Sequence, residues 1–430
     1  MAVNRIKRKI KKIVKPVAPK QSAVKKEKAP KPVENKTTIK KQPKKDYNES
    51  YKESFRVVSG SRLKKLKKRF VSLCVVAAII LSVLLIQLLT PTGIVESLQN
   101  SFSTIGKAQL PVTVYSQNSE QFVRYNDAVV TLNNSYFEIY SKKGKLIQAV
   151  SHGMSNPVLE LSESRFLLYD RSRYSISIFN YSSQLYQTGF EHNIISADIG
   201  RNGSYAVVTD SDMYMNSVYV YNKNNKLVYN WNSAGSYITD VAISNNGKTI
   251  AVALVTAKGG VYFSSVYVLD FSSASPKIRY DFDYLVSAVS VVNNKYILAN
   301  GTEHAMLLGL KSSSMLEITQ SAVRFYSSSA NGTTIVCHGR SNNERENTIS
   351  VISKKGEIIA SIKADYVVSS VSIGDKNIAV LSDKTVILYD LDGNEIGRTT
   401  TETKPLYVAA IDDEYCLALD NTKLYQLNFE

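Results

Sequence analysis

The chain has 430 residues, 44 % of them hydrophobic and 10 % aromatic, and 53 Lys+Arg against 37 Asp+Glu give it a net charge of +16. That excess is uneven: residues 1–69 hold 25 basic and 5 acidic side chains, leaving 28 basic against 32 acidic over the rest. The basic balance therefore describes a tail and not the folded body, and three cysteines are too few for a disulfide scaffold.

The tail opens with MAVNRIKRKIKKIV, where Val3, Ile6, Ile10 and Ile13 recur at helical steps amid five Lys or Arg at positions 7–12. Such a helix suits an anionic inner leaflet, each basic residue near the surface adding about 1 kcal/mol. A solvated charge run is the alternative, and lysine density alone would serve nucleic acid equally well. Residues 15–50 are expected to be disordered with local polyproline II character. They hold five of the ten prolines and too little apolar surface to offset chain entropy.

Next comes FVSLCVVAAIILSVLLIQLL, Phe70 to Leu89, with Val71 and Leu81 inside it. At about 1.5 Å per residue it reaches about 30 Å, one hydrocarbon thickness. Its 14 Leu, Ile, Val or Phe favour insertion by about 4 to 8 kcal/mol. The spacing predicts one transmembrane helix, ended by Pro91. Position and flanks distinguish it from a cleaved signal peptide. Arg62, Lys64, Lys65, Lys67, Lys68 and Arg69 crowd its amino side, and the next 20 residues beyond Leu89 offer only Lys107. By the positive-inside rule this signal anchor leaves the tail in the cytoplasm and the body outside the membrane. The expected domains are the tail at 1–69, the span at 70–89, an amphipathic linker at 90–109 and the extracytoplasmic body at 110–430. In the linker Ile94, Val95, Leu98, Phe102 and Ile105 follow helical spacing; this collar packs either on the ring or on lipid.

Beyond residue 110 one pattern recurs. Strand-turn-strand units read FVRYNDAVVTL, LELSESRFLLY, ADIGRNGSYAVVTD, VAISNNGKTIAVAL, VSVVNNKYILAN, FYSSSANGTTIVCHG, VSIGDKNIAVLSD and AAIDDEYCLALD. Their turns near Asn126, Glu163, Asn202, Asn246, Asn294, Asn331, Asp375 and Asp413 are 37, 39, 44, 48, 37, 44 and 38 residues apart. Such spacing of alternating Val/Ile/Tyr strands is that of propeller blades. Each of the first seven units is followed by a second hairpin, whereas the eighth ends after KLYQLNF without an outermost strand. Leu110 to Ser116 (LPVTVYS) is expected to supply that strand, Leu110, Val112 and Val114 packing near Leu424 and Leu427 to close the ring and remove its open edge. The fold expected is all-β, an eight-bladed β-propeller, with seven blades as the alternative if the first unit is irregular.

Ser244-Asn245-Asn246-Gly247-Lys248-Thr249-Ile250-Ala251 resembles the S-P-D-G-K-x-I-A hairpin of WD40-like bacterial propellers. The layout of residues 60–430 resembles an uncharacterised family of bacterial single-pass membrane proteins with a WD40-like or quinoprotein-like extracytoplasmic β-propeller. That resemblance implies a domain of unknown function and names no chemistry.

No catalytic, cofactor or metal set emerges from the residues. His152, His192, His304 and His338 are scattered without metal-type spacing, and Cys337 and His338, adjacent in a strand, point to opposite faces. Asp390, Asp392 and Asn394 in YDLDGNE suit a D-G hairpin turn better than a calcium loop, since no bidentate acid follows at the required distance. Cys337 and Cys416 are expected to be buried thiols, with one bridge between them as the alternative, and most of the 27 tyrosines read as strand residues. The expected function is a non-catalytic binding or scaffold module for an envelope protein or glycan at a propeller face. Two alternatives are a glycan-active hydrolase or lyase with acidic residues at the channel, and a sensor signalling through the basic tail. Asp or Glu from three or more blades meeting in the channel with raised pKa values would favour the enzyme.

Overall fold

The computed structural model describes residues 68–82, 94–125, 128–329 and 331–429. Residues 68–82 form a helix, α1, and Ile94–Ser103 a second, α2. No helix among the described residues is long and apolar enough to cross a membrane. The expected span begins in α1, but residues 83–89 lie outside the described set, as do residues 1–67.

From Val112 onward the chain builds eight four-stranded antiparallel sheets, the eight blades of a β-propeller. Blade 1 runs Gln121–Tyr125, Ala128–Leu132, Tyr136–Ser141, Leu146–Ser151 from the axis outward. Blades 2 to 7 repeat this order from Pro157 to Thr400. The sequence alternation is the cause of this layering. In blade 3 the second strand, Tyr205–Thr209, is buried at every position because neighbouring blades cover both its faces, and the outer strand Leu227–Ser233 alternates because one face meets water. The core accordingly consists of interblade clusters, for example Val208, Val218 and Trp231 of blade 3 against Ile243, Val252 and Leu269 of blade 4. Gly203 and Gly247 turn the first hairpins of blades 3 and 4 at φ of 80° and 65°, conformations a side chain disfavours.

Blade 8 is composite. Tyr407–Ala410, Tyr415–Leu419 and Lys423–Asn428 come from the carboxyl end, and Val112–Thr113 adds the outermost strand, with Val112 opposite Leu424 and Thr113 opposite Lys423. Val114 N donates to Thr422 O at 2.9 Å, extending the clasp. Val114 and Leu424 are buried together with Phe122, Val129 and Leu419, and Leu110 and Val112 pack against them. Leu427 faces the other way, three residues along the strand from Leu424, and packs with Ala379, Leu388 and Cys416 on the blade 7 side. The closing strand is shorter than the expected Leu110–Ser116 because Glu138 diverts the chain. This wholly buried carboxylate of blade 1 accepts from the amides of Tyr115 and Ser116 (3.1 and 2.6 Å), from the Ser116 hydroxyl and from the Tyr140 hydroxyl (2.6 Å).

Blade 4 departs from the repeat. Its two middle strands, Thr249–Lys258 and Val261–Asp270, pair along their full length, but the flanking strands reach only Val255 and Ser264. The tip, Thr256 to Phe263, is thus a two-stranded ribbon standing beyond the sheet.

Candidate functional site

All inner strands run the same way along the axis, so side chains at matching positions of successive blades meet around one lumen. The cavity there is about 440 Å³ and is lined from blades 1 to 6. Glu160 of blade 2, Asp198 of blade 3 and Asp240 of blade 4 all face it. Glu160 lies opposite Leu167 and Asp198 opposite Ala206, each one step in from the first hairpin, whereas Asp240 lies opposite Ala253, farther up its strand.

Asp198 accepts from its neighbour Ile199 N and from Ile243 N of blade 4, both at 2.7 Å. Asp240 accepts from Val289 N of blade 5 at 2.9 Å and from the Ser196 hydroxyl of blade 3. Two of the three carboxylates therefore staple neighbouring blades. Glu160 has no hydrogen-bond donor among the described residues. Each group is partly exposed, but only to a lumen walled by protein, so burial dominates its ionisation. Burial, then the charges of Asp198 and Asp240, hold the Glu160 carboxyl well above the usual range, with Arg171 opposing. Burial also pushes Asp198 up to about 7 against the two amides that favour its anion, and raises Asp240 against the Ser196 hydroxyl and the Val289 amide. A carboxyl near 7 exchanges its proton at neutral pH.

Around the acids stand other polar groups. Tyr326 of blade 6 is exposed to the lumen, and its phenol is pushed up by burial and by the charges of Glu160, Asp240 and Asp198. Arg171 donates to the Tyr169 hydroxyl at 3.2 Å. Toward the first-hairpin mouth Arg201 is paired with Glu163, and Arg124 reaches Asp375 at 3.2 Å. A second cavity of about 370 Å³ opens between blades 6, 7, 8 and 1, lined by Arg124, Arg324, Ser370, Ser372, Phe325 and Tyr407.

Phe70, Val71 and Leu81 are exposed in α1, which also includes Lys68 and Arg69. Leu89, Arg62, Lys64, Lys65 and Lys67 lie outside the described residues. Cys337 and Cys416 are free and buried, and burial pushes each thiol up to about 12. His338 meets Thr319 and Ser350 between strands of blades 5 and 6, and burial lowers its pKa. Asp390 and Asn394 close the second hairpin of blade 7, Asn394 N donating to Asp390 at 2.8 Å. None of the histidines joins the channel. The acidic trio was not singled out beforehand, although its signal was present: Glu160, Asp198 and Asp240 each interrupt an apolar inner strand, in PVLEL, IISADI and YITDVAI.

The profile of one family of unknown function, DUF5711, matches residues 107–424. The chain belongs to that family. No curated protein matches the sequence. Among solved structures, Sqt1 of Saccharomyces cerevisiae is similar at a TM-score of 0.53 and 7 % identity, over 76 % of this chain and 100 % of that one. The carboxyl-terminal WD40 domain of Sif2 is similar at 0.52 and 12 % identity, over 76 % and 100 %. BamB from Moraxella catarrhalis stands at 0.47 and 13 %, over 75 % and 97 %. At such identities the first two likenesses speak to the propeller fold alone.

Proposed function

We propose that the protein is an extracytoplasmic binding module, tethered to a bacterial cytoplasmic membrane by the apolar run 70–89 with its basic tail inside. Its ligand, an envelope glycan or a segment of an envelope protein, enters the axial channel. Glu160 carries this reading. Its carboxyl, held well above the usual range by burial and by the charges of Asp198 and Asp240, has no donor among the described residues and faces a lumen of about 440 Å³ that Tyr326 also lines. Polar groups left open to an enclosed lumen are the ones a ligand satisfies. The test is the purified protein against glycan arrays and envelope extracts, with Glu160→Leu and Tyr326→Phe alongside. Loss of one polar contact should weaken capture about 10-fold or more. Identical capture by all three proteins would refute channel binding.

A second reading is a glycan-active enzyme, and the same trio favours it, since three carboxyls from three blades with raised pKa values meet in one channel. Hydrolysis needs two carboxyls free to act on a scissile bond. Here Asp198 and Asp240 spend their oxygens on backbone amides and a hydroxyl of neighbouring blades, leaving Glu160 alone unengaged. Binding is the better match on that ground. Cleavage of a bound glycan by the wild type, abolished in Glu160→Gln with binding retained, would reverse the order.

A further inference from the structure

Helix α2 docks on the propeller by its polar side. The Glu96 carboxylate takes both Nε and Nη2 of Arg165 at 2.8 Å, in a pair almost shut off from water. Arg165 Nη1 also donates to Lys223 O at 2.7 Å. One turn on, the buried Asn100 donates to Ser164 O at 3.1 Å and accepts from Tyr181 N at 3.3 Å. The Lys145 ammonium closes the far end on the carbonyls of Ser103 and Ile105. Leu98, Phe102 and Ile105, at steps of four and three, therefore stand outward at 51 %, 68 % and 63 % exposure. A surface helix ordinarily turns its apolar residues to the core; in α2 Glu96 and Asn100 meet the ring while Leu98 and Phe102 stand in the open.

The residues that hold α2 belong to the first and second hairpin turns of blades 1 to 3, all on one face of the ring. That face is rich in lysine beside the helix: Lys107, Lys142, Lys143 and Lys145 at one end, Lys223 and Lys226 at the other. In the sequence α2 follows the apolar run ending at Leu89 after four residues. We infer that α2 is an interfacial helix whose apolar stripe rests in the surface of an anionic bilayer, laying the lysine-bearing turn face of the propeller against lipid. An outward apolar stripe flanked by cations is complementary to acyl chains beneath anionic headgroups, and the short tether delivers it there. The inference rests on the membrane-tethered reading, yet the two fail separately.

The test uses the full chain with Phe102→Trp, reconstituted into vesicles of phosphatidylglycerol and bromine-labelled phosphatidylcholine. Bromine quenches indole only within the bilayer, and the native Trp231 is buried in blade 3 with its Nε1 on Ala274 O. Quenching of Phe102→Trp by about two-fold over unlabelled vesicles, beside an unquenched wild type, is the expected result. Emission unchanged by bromine overturns the inference, and Leu98→Trp repeats the measurement on the same stripe if the first variant does not fold. Alkaline carbonate separates the two readings. Protein that stays in the membrane with an unquenched indole keeps the tether and loses the interfacial helix; protein that is extracted, yet quenched before extraction, keeps the helix and loses the span. Replacing phosphatidylglycerol by a neutral lipid should reduce quenching of any extractable protein.

Discussion

At the scale of single residues, two carboxyl groups, Glu138 and Asp198, make different contributions. Glu138 is wholly buried and accepts from three donors of the returning amino-terminal segment, the amides of Tyr115 and Ser116 and the Ser116 hydroxyl, and from the Tyr140 hydroxyl on its own strand. Glu138→Leu strands those donors without water, and unfolding by denaturant should show a loss of about 2–4 kcal/mol; an unchanged midpoint would mean that the clasp does not depend on it. Asp198 instead keeps its proton to about pH 7 in the folded protein, whereas an unfolded aspartate releases it near pH 4. Between those values the folded state binds the more protons, so the stability this group contributes below about pH 4 is lost as pH rises to about 7. Glu160 and Asp240 are shifted in the same direction and add to that slope. Melting curves across this window should show a shallower decline for Asp198→Asn than for the wild type. Parallel declines would assign the slope elsewhere.

At the scale of elements, closure and decoration make different demands on the chain. The outermost strand of blade 8 comes from Val112–Thr113, and Val114 is buried beside Leu424. Chains starting at residue 120 should therefore melt about 5 °C or more below chains starting at residue 107. Equal melting would mean that the ring is closed without this strand. The blade 4 ribbon is the contrary case. Its tip pairs with neither flanking strand and exposes Val261, Tyr262 and Phe263. Replacing Thr256–Phe263 by a two-residue turn should shift melting by no more than about 2 °C. The recurring hairpins, the missing eighth outer strand and the segment that replaces it were legible in the sequence because alternation and turn chemistry are local. The short length of the closing strand was not, because Glu138, more than 20 residues along the chain, accepts the amides at 115 and 116. Nor was the orientation of α2. Its stripe was visible, but which side meets the ring depends on Arg165, Ser164 and Tyr181 of blade 2.

For the whole molecule, the two faces of the ring differ. One carries the first and second hairpin turns, α2 and the lysines beside it; the other carries the ribbon of blade 4 and the exposed Met213, Tyr214 and Tyr237. If the tether and α2 hold the turn face to lipid, the ribbon side points into the envelope. An epitope tag at the carboxyl terminus should then be cleaved by protease added to intact cells, and a tag at the amino terminus only after the membrane is opened. The reverse pattern would invert the topology. Charge asymmetry, the apolar run and the eight-fold repeat were determined by the sequence itself, because each depends on composition or on spacing along the chain. The acidic trio in the channel was decided only by the tertiary structure. Glu160, Asp198 and Asp240 are each an ordinary interruption of a strand until closure of the ring turns three separate blades onto one axis. There burial and mutual charge, which no local pattern encodes, set their chemistry.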